Sequence, residues 1–493
     1  MSQKQDNSEL IQKILTGTRW AALLRFSAQI FSWLSTIIVV RFISPTDYGL
    51  NSMLQSPLEV MMLLSTVGLD VALVQSKKLD RAEMRSIFGW LLVINGFLFL
   101  AYFFGGALLA AYFKEPNLDL LAKVLAFIFL LVPFRVIPNA LLDRELKFKL
   151  RAQVELGAMV CSTILTLVLA VMGAGIWALV LGMLAKRVLE TILLMIFEPW
   201  FIRPSLHYAT VHRLIAFGGV SAASGVLAMV SGAVVSLIAG RQLGSELLGI
   251  YAVSMQFAML PLAKIMPVIN QSLVPAFSKF QAQRDVAAHY LEKAMGIVSL
   301  VLVPAMIGMA CIADAFVHTL LGVKWSAAAF PLALLSMMML FRIVTLFLWP
   351  VMVSMGRPDL PFKANIVMLI LLIPTMLFGV SYGVMGLVIA MFACEIVVTS
   401  VTVILSKQAL DASFAGIFRS LRPAFFSSVI MAASVLGARS LVGYSGGGAD
   451  LLLGLSVGVV GYYLSLRLLF ADKLQDALSL LFGNRFARLR PGK

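Results

Sequence analysis

Charged side chains are scarce in this sequence. Asp, Glu, Lys and Arg together make up 13% of its 493 residues, whereas about 25% is usual for a soluble protein. Hydrophobic residues account for 60%. A surface that contacts water cannot be built from so few charges, so the composition excludes soluble enzymes and nucleic-acid-binding proteins even though the net charge is +15. The sequence predicts a protein that lies within a lipid bilayer.

Cysteine and histidine are also rare, at three and four residues. Cys161, Cys311 and Cys394 lie inside apolar stretches without C-x-x-C spacing, and such cysteines behave as small buried hydrophobic residues. The histidines show no metal-ligand or catalytic spacing, and the sequence has no phosphate-binding loop for ATP. We therefore expect no metal site, no cofactor and no enzymatic reaction.

Long apolar runs fill most of the chain. A helix that crosses a bilayer needs about 20 mostly apolar residues. The sequence predicts an all-α polytopic membrane protein with about fourteen such helices, and the narrowest gaps between them are at residues 173–175 and at Gly383. The predicted helices are residues 19–40, 50–74, 87–113, 119–141, 153–172, 176–197, 214–239, 247–275, 294–315, 328–354, 362–381, 384–406, 422–440 and 450–470.

Basic residues are distributed unequally between the two sides of these helices. The N-terminus, the even-numbered loops and the C-terminus carry 27 Lys and Arg residues, and the odd-numbered loops carry six. Because cytoplasmic loops are enriched in Lys and Arg, we expect both termini to be cytoplasmic, which requires an even number of helices. The predicted external loops are too short to hold the catalytic groups of a membrane enzyme such as a polysaccharide polymerase or ligase.

A faint internal repeat divides the chain. Residues 37–50 align without gaps to residues 237–250, matching Arg41 with Arg241 and Gly49 with Gly249. A Ser-Lys pair follows one helix later in both copies, at residues 76–77 and 278–279. Six helices separate the copies, which predicts two six-helix lobes related by a pseudo-two-fold axis along the membrane normal, an arrangement typical of transporters. The predicted organisation is a cytoplasmic N-terminal segment (1–18), an N-lobe (19–197), a cytoplasmic linker (198–213), a C-lobe (214–406), an appended helix pair (407–470) and a basic cytoplasmic tail (471–493).

Ten ionisable residues inside the apolar runs are candidates for a functional role. An ionised side chain at the centre of a bilayer costs about 2.5–3.5 kcal/mol on insertion scales, so these residues are expected to face protein or a hydrated cavity. They are Arg25, Glu59, Asp70, Arg135, Lys186, Arg187, Glu190, Lys264, Arg342 and Glu395.

The first two predicted helices carry polar stripes. Arg25 and Gln29 begin the stripe in the first helix, and Glu59 and Asp70 lie on the stripe in the second, with spacings that place each set on one helix face. Two such stripes favour a hydrated cavity, although a buried Arg–Glu pair that only stabilises packing fits the same pattern. Burial raises the pKa of a carboxyl group, so Glu59 and Asp70 are candidates for ion or proton coupling.

Four further residues complete the predicted site. Lys264 lies between Pro261 and Pro267, where freed backbone carbonyls line a path or mark a hinge. Arg342 is in mid-helix without an acidic neighbour in sequence, which indicates an anion-binding role or snorkelling. Arg135 near the end of the fourth helix has the same two interpretations. Glu395 either titrates or pairs with Arg342 across helices, whereas Lys186, Arg187 and Glu190 are spaced to neutralise one another. The predicted substrate-binding residues are Arg25, Gln29, Arg135, Lys264 and Arg342, and the predicted coupling residues are Glu59, Asp70 and Glu395.

Four segments resemble the polysaccharide-transport branch of the multidrug/oligosaccharidyl-lipid/polysaccharide exporter superfamily, in particular the colanic-acid-type and O-antigen-type (Wzx-like) flippases. The resemblance spans most of the first twelve helices. The segments are RFISPTDYGL (41–50), IPNALLDRELKFKLRAQVE (137–155), LGSELLGIYAVSMQFAMLPLAKIMPVINQSLVPAFSKFQ (243–281) and GVKWSAAAFPLALLSMMMLFR (322–342).

This resemblance implies a V-shaped pair of lobes in the bacterial cytoplasmic (inner) membrane, with a basic central cavity that opens alternately to the two sides. The implied substrate is an undecaprenyl-diphosphate-linked oligosaccharide repeat unit, moved from the cytoplasmic to the periplasmic leaflet for exopolysaccharide, capsule or O-antigen synthesis. The implied partners are membrane lipids, a polysaccharide polymerase and chain-length machinery, and no nucleic acid is expected to bind. The resemblance also implies that transport is coupled to a cation gradient. The alternative is a cation-coupled antiporter of drugs or other small molecules from the same superfamily, which would need a carboxylate-rich cavity.

Overall fold

The computed structural model describes residues 31, 33–66, 73, 81–200, 202–281, 283–410, 413–443 and 447–475. This part of the chain is helical and contains no β-strand. The helices are α1 (Trp33–Phe42), α2 (Pro45–Leu64), α3 (Arg81–Phe113), α4 (Asn117–Arg144), α5 (Phe148–Val171), α6 (Ile176–Phe197), α7 and α8 (residues 208–243 and 245–277), α9 (Arg284–Phe316), α10 (Ala329–Ser354), α11 (Asp359–Val380), α12 (Gly383–Ser406), α13 (Phe414–Val442) and α14 (Gly448–Leu469).

Most of these helices are long and apolar enough to cross a membrane. The described residues contain ten candidate spans, one of which, Val226–Phe280, is 55 residues long. At 1.5 Å per residue the helical path along this span is about 80 Å long, more than twice the roughly 30 Å thickness of a bilayer core. The predicted class, an all-helical multi-pass membrane protein, is confirmed, and the count of fourteen membrane-crossing helices stays a prediction.

The predicted breaks between helices are confirmed where the apolar runs are almost continuous. α5 ends at Val171 and α6 begins at Ile176, and α11 ends at Val380 before α12 begins at Gly383. A further break separates α7 from α8 at Gly244, where φ is +81°. This left-handed backbone conformation is readily adopted only by glycine, so Gly244 allows a sharp change of direction inside an apolar segment.

The start of α2 differs from the prediction by five residues because polar capping groups extend the helix. Ser44 precedes Pro45 and accepts a hydrogen bond from the Asp47 backbone N–H at 3.1 Å, a favourable N-terminal cap. Asp47 also accepts a hydrogen bond at 3.0 Å from the backbone N–H of Ile176, the first residue of α6. A hydropathy pattern does not detect these polar residues as part of a helix.

The two copies of the sequence repeat pack against each other. A Cβ added to Gly49 would overlap the carbonyl oxygen of Ser245, and one added to Gly249 would overlap the carbonyl oxygen of Pro45. Since 45 and 49 align with 245 and 249 in the repeat, the two contacts are reciprocal, as a local two-fold relation requires. Only glycine permits this approach of two backbones.

The chain divides into two compact units, Met1–Gly249 and Ile250–Lys493. In the first unit, α3 and α4 pack through a hydrophobic cluster that includes Phe88, Leu91 and Ile137. The predicted linker begins against this cluster, because the Trp200 ring lies edge-on to Phe88 at 4.9 Å. The Ser205 backbone N–H then donates to the carbonyl of Arg85 at 2.9 Å, so the first part of the linker is fixed to the start of α3.

Candidate functional site

An ion pair joins the middles of two helices in the second unit. Arg342, halfway along α10, donates to Oε2 of Glu395, halfway along α12, at 2.9 Å. The Glu395 side chain is 4% exposed, and its second oxygen, Oε1, is buried without a hydrogen-bond partner in the described structure. The alternative in which Glu395 pairs with Arg342 across helices is therefore the one that the structure shows.

A second ion pair joins α4 and α6 in the first unit. Arg135 donates to Oε2 of Glu190 at 2.9 Å, and Arg187 approaches the same oxygen at 3.2 Å. The spacing of residues 186–190 predicted the contact of Arg187 with Glu190 within α6, but not the contact of Glu190 with Arg135. Lys186 is half-buried and makes no ion pair with any described residue, so the predicted neutralisation of Lys186 does not occur there.

The two pairs are separated along the chain by similar numbers of residues. Arg135 and Arg342 lie on the fourth and tenth helices, 207 residues apart, and Glu190 and Glu395 lie on the sixth and twelfth, 205 residues apart. These offsets are close to the 200 residues that separate Gly49 from Gly249. The two arginines and the two glutamates could therefore have been matched from the sequence, because each residue is separated from its counterpart by nearly the same number of residues as Gly49 is from Gly249.

Of the other predicted site residues, the structure describes Lys264 and Glu59. Lys264 is half-buried on α8, and Glu59 is exposed on α2, where it forms no ion pair with a described residue. The remaining predicted residues, Arg25, Gln29 and Asp70, lie outside the described residues.

A third buried charge cluster lies where α13 and α14 meet. Arg439, 1% exposed, donates to both carboxylate oxygens of Asp450 at 2.7 and 2.8 Å. It also donates to Asp314 at 2.8 Å and to the carbonyl of Cys311, both on α9. Arg439 is one of the six basic residues counted in the odd-numbered loops. In the structure it is buried near the end of α13 and joins the helix pair to α9. Hydropathy detects only that a charge lies near a helix end, not that two carboxylates surround it.

Metal coordination is not a feature of these clusters. No group of three or more His, Cys, Asp or Glu residues in the described part of the chain is arranged to hold a metal ion.

In the loop between α4 and α5, hydrogen bonds from Lys147 to Glu145 and Glu198 raise the pKa of the lysine, so this ammonium group stays protonated at neutral pH.

Comparison with known families identifies the wider group to which the chain is related. Residues 38–330 match the family described as polysaccharide biosynthesis protein. The chain belongs to this family. The matched region includes Gly49, Gly249, Arg135 and Glu190 and ends twelve residues before Arg342.

Individual proteins are similar over most of their length. The lipopolysaccharide biosynthesis protein WzxC of Escherichia coli (strain K12) is 25% identical over 429 residues, which cover 85% of this chain and 86% of WzxC. Among solved structures, the lipid II flippase MurJ in an inward closed conformation has a TM-score of 0.74 at 12% identity and covers 92% of this chain and 99% of its own.

The same fold also occurs in a multidrug transporter. An inward-facing multidrug resistance MATE family transporter of the MOP superfamily has a TM-score of 0.59 at 13% identity, and the match covers 78% of this chain and 97% of the transporter. At such identities the two structures show the fold alone. This polysaccharide biosynthesis family protein is thus a multi-pass membrane protein with a MurJ- and MATE-like fold.

Proposed function

We propose that this protein is a flippase that moves undecaprenyl-diphosphate-linked oligosaccharide repeat units from the cytoplasmic to the periplasmic leaflet by alternating access. The observation that carries the proposal is the set of cationic side chains inside apolar helices, of which Arg342 and Arg135 are the best defined. A diphosphate that leaves water needs fixed positive charges, and guanidinium groups bind phosphate oxygens through paired hydrogen bonds. The long polyprenyl chain can remain in lipid while the polar head group crosses.

The family and the similarities support this substrate class. The family is described by polysaccharide biosynthesis, the WzxC name refers to lipopolysaccharide, and the MurJ name refers to the flipping of a lipid-linked substrate. A transporter of such a lipid needs no catalytic group. Lipid-linked oligosaccharide and membrane lipids are accordingly the proposed ligands, and a polysaccharide polymerase and chain-length machinery are the proposed protein partners.

The proposed topology follows from the distribution of basic residues. Fourteen helices would form an N-lobe (19–197), a C-lobe (214–406) and an appended pair (407–470), with both termini in the cytoplasm and the protein in the bacterial inner membrane. The strong excess of Lys and Arg in the N-terminus, the even-numbered loops and the C-terminus supports this orientation.

The proposed residues divide into two sets by role. The diphosphate and glycan would be bound by Arg25, Gln29, Arg135, Lys264 and Arg342. Glu59, Asp70 and Glu395 would couple transport to a cation or proton gradient, and the unpartnered Oε1 atom of the buried Glu395 side chain supports its inclusion.

A second candidate function is cation-coupled antiport of drugs or other small molecules, which the MATE-like fold favours. A site for cationic drugs would need an excess of carboxylates. Of the ten ionisable residues named in the apolar runs, however, six are basic and four are acidic, and this balance favours an anionic substrate.

The deciding experiment is the leaflet location of a lipid-linked repeat unit in proteoliposomes with and without the purified protein. We expect the labelled glycan to become accessible to a membrane-impermeant oxidant from the opposite side only when the protein is present. Protein-free vesicles and vesicles with an unrelated polytopic protein are the controls. Failure to move several different glycans, together with efflux of a cationic dye, would replace the flippase proposal with the antiporter.

A further inference from the structure

The helix pair α13 and α14 contacts α9 at three depths, and all three helices lie in the second unit. At one end of this interface, Arg439 of α13 is buried, and its guanidinium group donates at 2.8 Å both to Asp450 on α14 and to Asp314 on α9. Next to it, a Cβ added to Gly454 of α14 would meet the Ile312 side chain of α9 at 2.7 Å. A buried arginine and a close helix contact thus join the pair to α9 at this end.

The contacts continue to the opposite end of α9. Near the middle, the Tyr462 hydroxyl group of α14 donates to the carbonyl of Leu300 at 2.8 Å. At the far end, the Glu292 carboxylate lies over the first turn of α13, because a Cβ added to Gly416 would overlap its Oε1 atom. Residues 292 and 314 are 22 positions apart on α9, which is about 33 Å along a helix and therefore about the thickness of a bilayer core.

An interface with these contacts does not open readily in lipid. Apolar helix surfaces can exchange each other for lipid chains at little cost, because the chains are equally apolar. The core of a bilayer offers no hydrogen-bond partners, however. Separation from α9 would leave the Tyr462 hydroxyl group without an acceptor and would take Arg439 away from Asp314, and buried polar groups that lose their partners are costly. The polar contacts, rather than apolar packing, therefore keep the interface closed.

The polyprenyl chain of the proposed substrate stays in lipid while its head group lies inside the protein, so the chain has to pass between two helices. We propose that α9, α13 and α14 form one rigid body during transport and that the interface between α9 and the pair is not this passage. Arg439 is a positioning residue, which holds the pair on α9 without touching the substrate. The inference rests on the proposed function for the substrate, whereas the rigidity of the three helices can be measured without it.

A disulfide bond across the interface tests whether the interface has to open. A Cβ added to Gly296 of α9 would lie 3.9 Å from the Cβ of Ser420 on α13, within the range of about 3.5–4.5 Å found in disulfides. The variant Gly296→Cys/Ser420→Cys is made in a protein whose three native cysteines are replaced by alanine. We expect it to move a labelled lipid-linked glycan in proteoliposomes at the same rate before and after oxidation. Loss of transport on oxidation that a reductant restores would show that the interface opens and would overturn the proposal.

Formation of the bond is measured separately from transport. A protease site inserted between α12 and α13 cuts the chain between the two cysteines, and the disulfide holds the fragments together on a non-reducing gel. The matched control is Gly296→Cys alone in the same cysteine-free protein, which receives the same oxidant but cannot form the bond.

A rescue experiment tests the positioning role of Arg439. Arg439→Gln removes the ion pairs at one end of the interface, and we expect a loss of transport in the reduced protein. When Gly296→Cys/Ser420→Cys is added, oxidation holds the opposite end of the same interface, and we expect transport to return. Full transport by reduced Arg439→Gln, or no recovery on oxidation, would overturn the positioning role. Tyr462→Phe removes an uncharged contact without burying a charge, and we expect a smaller loss that the disulfide also restores.

The rigid body and the proposed function fail in different ways. Spin labels replace Val301 of α9 and Val459 of α14, which are 56% and 69% exposed, and their separation is measured in nanodiscs with and without undecaprenyl diphosphate. One unchanged distance supports the rigid body even if the wild type moves no glycan, in which case only the flippase function is wrong. Two distances, or a shift when the diphosphate is added, would overturn the rigid body even if the wild type transports glycan.

Discussion

At the scale of single residues, a buried carboxylate determines what a nearby arginine can do. Arg342 in mid-helix has no acidic neighbour in sequence and was therefore a candidate for an unoccupied anion site. In the structure Glu395 already neutralises it at 2.9 Å. A substrate phosphate would have to compete with this carboxylate, so the pair combines a structural role with the proposed binding role, and a single substitution affects both.

This combination predicts a specific pattern for substitutions at the pair. Arg342→Gln leaves the Glu395 carboxylate buried without a counter-ion, and Glu395→Gln leaves the guanidinium uncompensated. Breaking a buried ion pair costs about 3–5 kcal/mol, so we expect both single variants to lose thermal stability and membrane abundance. The double variant removes both charges, and we expect it to recover abundance.

Export measured on the same cells separates the two roles. If Arg342 binds the substrate, the double variant is present at normal abundance but does not export polymer. Normal export by the double variant would show that the pair stabilises packing only. Single variants as stable as the wild type would contradict the structural role.

The pairs also show how far residue-level prediction could go. The ten ionisable residues inside apolar runs were all identifiable from sequence, because charges are rare there. Their partners were only partly predictable. Pairing of Glu395 with Arg342 was one of two alternatives, and the Arg135–Glu190 pair was not predicted, since 55 residues separate Arg135 from Glu190 and 53 separate Arg342 from Glu395. Periodicity assigns a residue to a helix face but does not say which other helix that face meets.

At the scale of helices, hydrogen bonds at a helix end determine where the helix begins, and a hydropathy pattern does not predict this boundary. The break at residues 173–175 followed from a gap in the apolar pattern, because glycines interrupt two hydrophobic runs. The start of α2 did not, because Ser44, Pro45 and Asp47 are polar or helix-breaking in most contexts and act here as a helix cap. Helix existence was therefore predictable, whereas this boundary depended on local hydrogen bonds.

The reciprocal glycine contact predicts equal effects at equivalent positions. Gly49→Ala and Gly249→Ala each place a methyl group on a backbone carbonyl oxygen of the other repeat copy, so the helices must move apart. Overpacking of this kind costs about 1–3 kcal/mol. We expect both variants to lower the unfolding temperature of the purified protein by similar amounts.

Gly96 on α3 is the matched control, because nothing lies within 4 Å of a Cβ added there. Alanine is favoured over glycine in a helix by about 1 kcal/mol, so Gly96→Ala should unfold at the wild-type temperature or slightly above it. A wild-type unfolding temperature for both Gly49→Ala and Gly249→Ala would show that the contact has no role in stability.

At the scale of the whole molecule, the charge distribution predicts how the chain is threaded through the membrane. The loop after α12 contains Lys407 and is expected in the cytoplasm, whereas the loop after α13 contains Gly443 and is expected outside. We predict that a reporter that fluoresces only in the cytoplasm is bright when fused after residue 407 or after residue 493 and dark when fused after residue 443. A dark C-terminal fusion would indicate an odd number of spans and a different orientation.

The sequence alone determined the membrane class, the positions of most helices and the family resemblance. The reason is that a bilayer offers no hydrogen-bond partners to the backbone, so a long apolar segment has to form a helix whatever its neighbours are. Only the tertiary structure decided which charges meet. It paired Arg342 with Glu395, placed two arginines on Glu190 and buried Arg439 between two aspartates. Contacts between helices depend on the depth and rotation of each helix, and these are set by packing over the whole unit rather than by any local pattern.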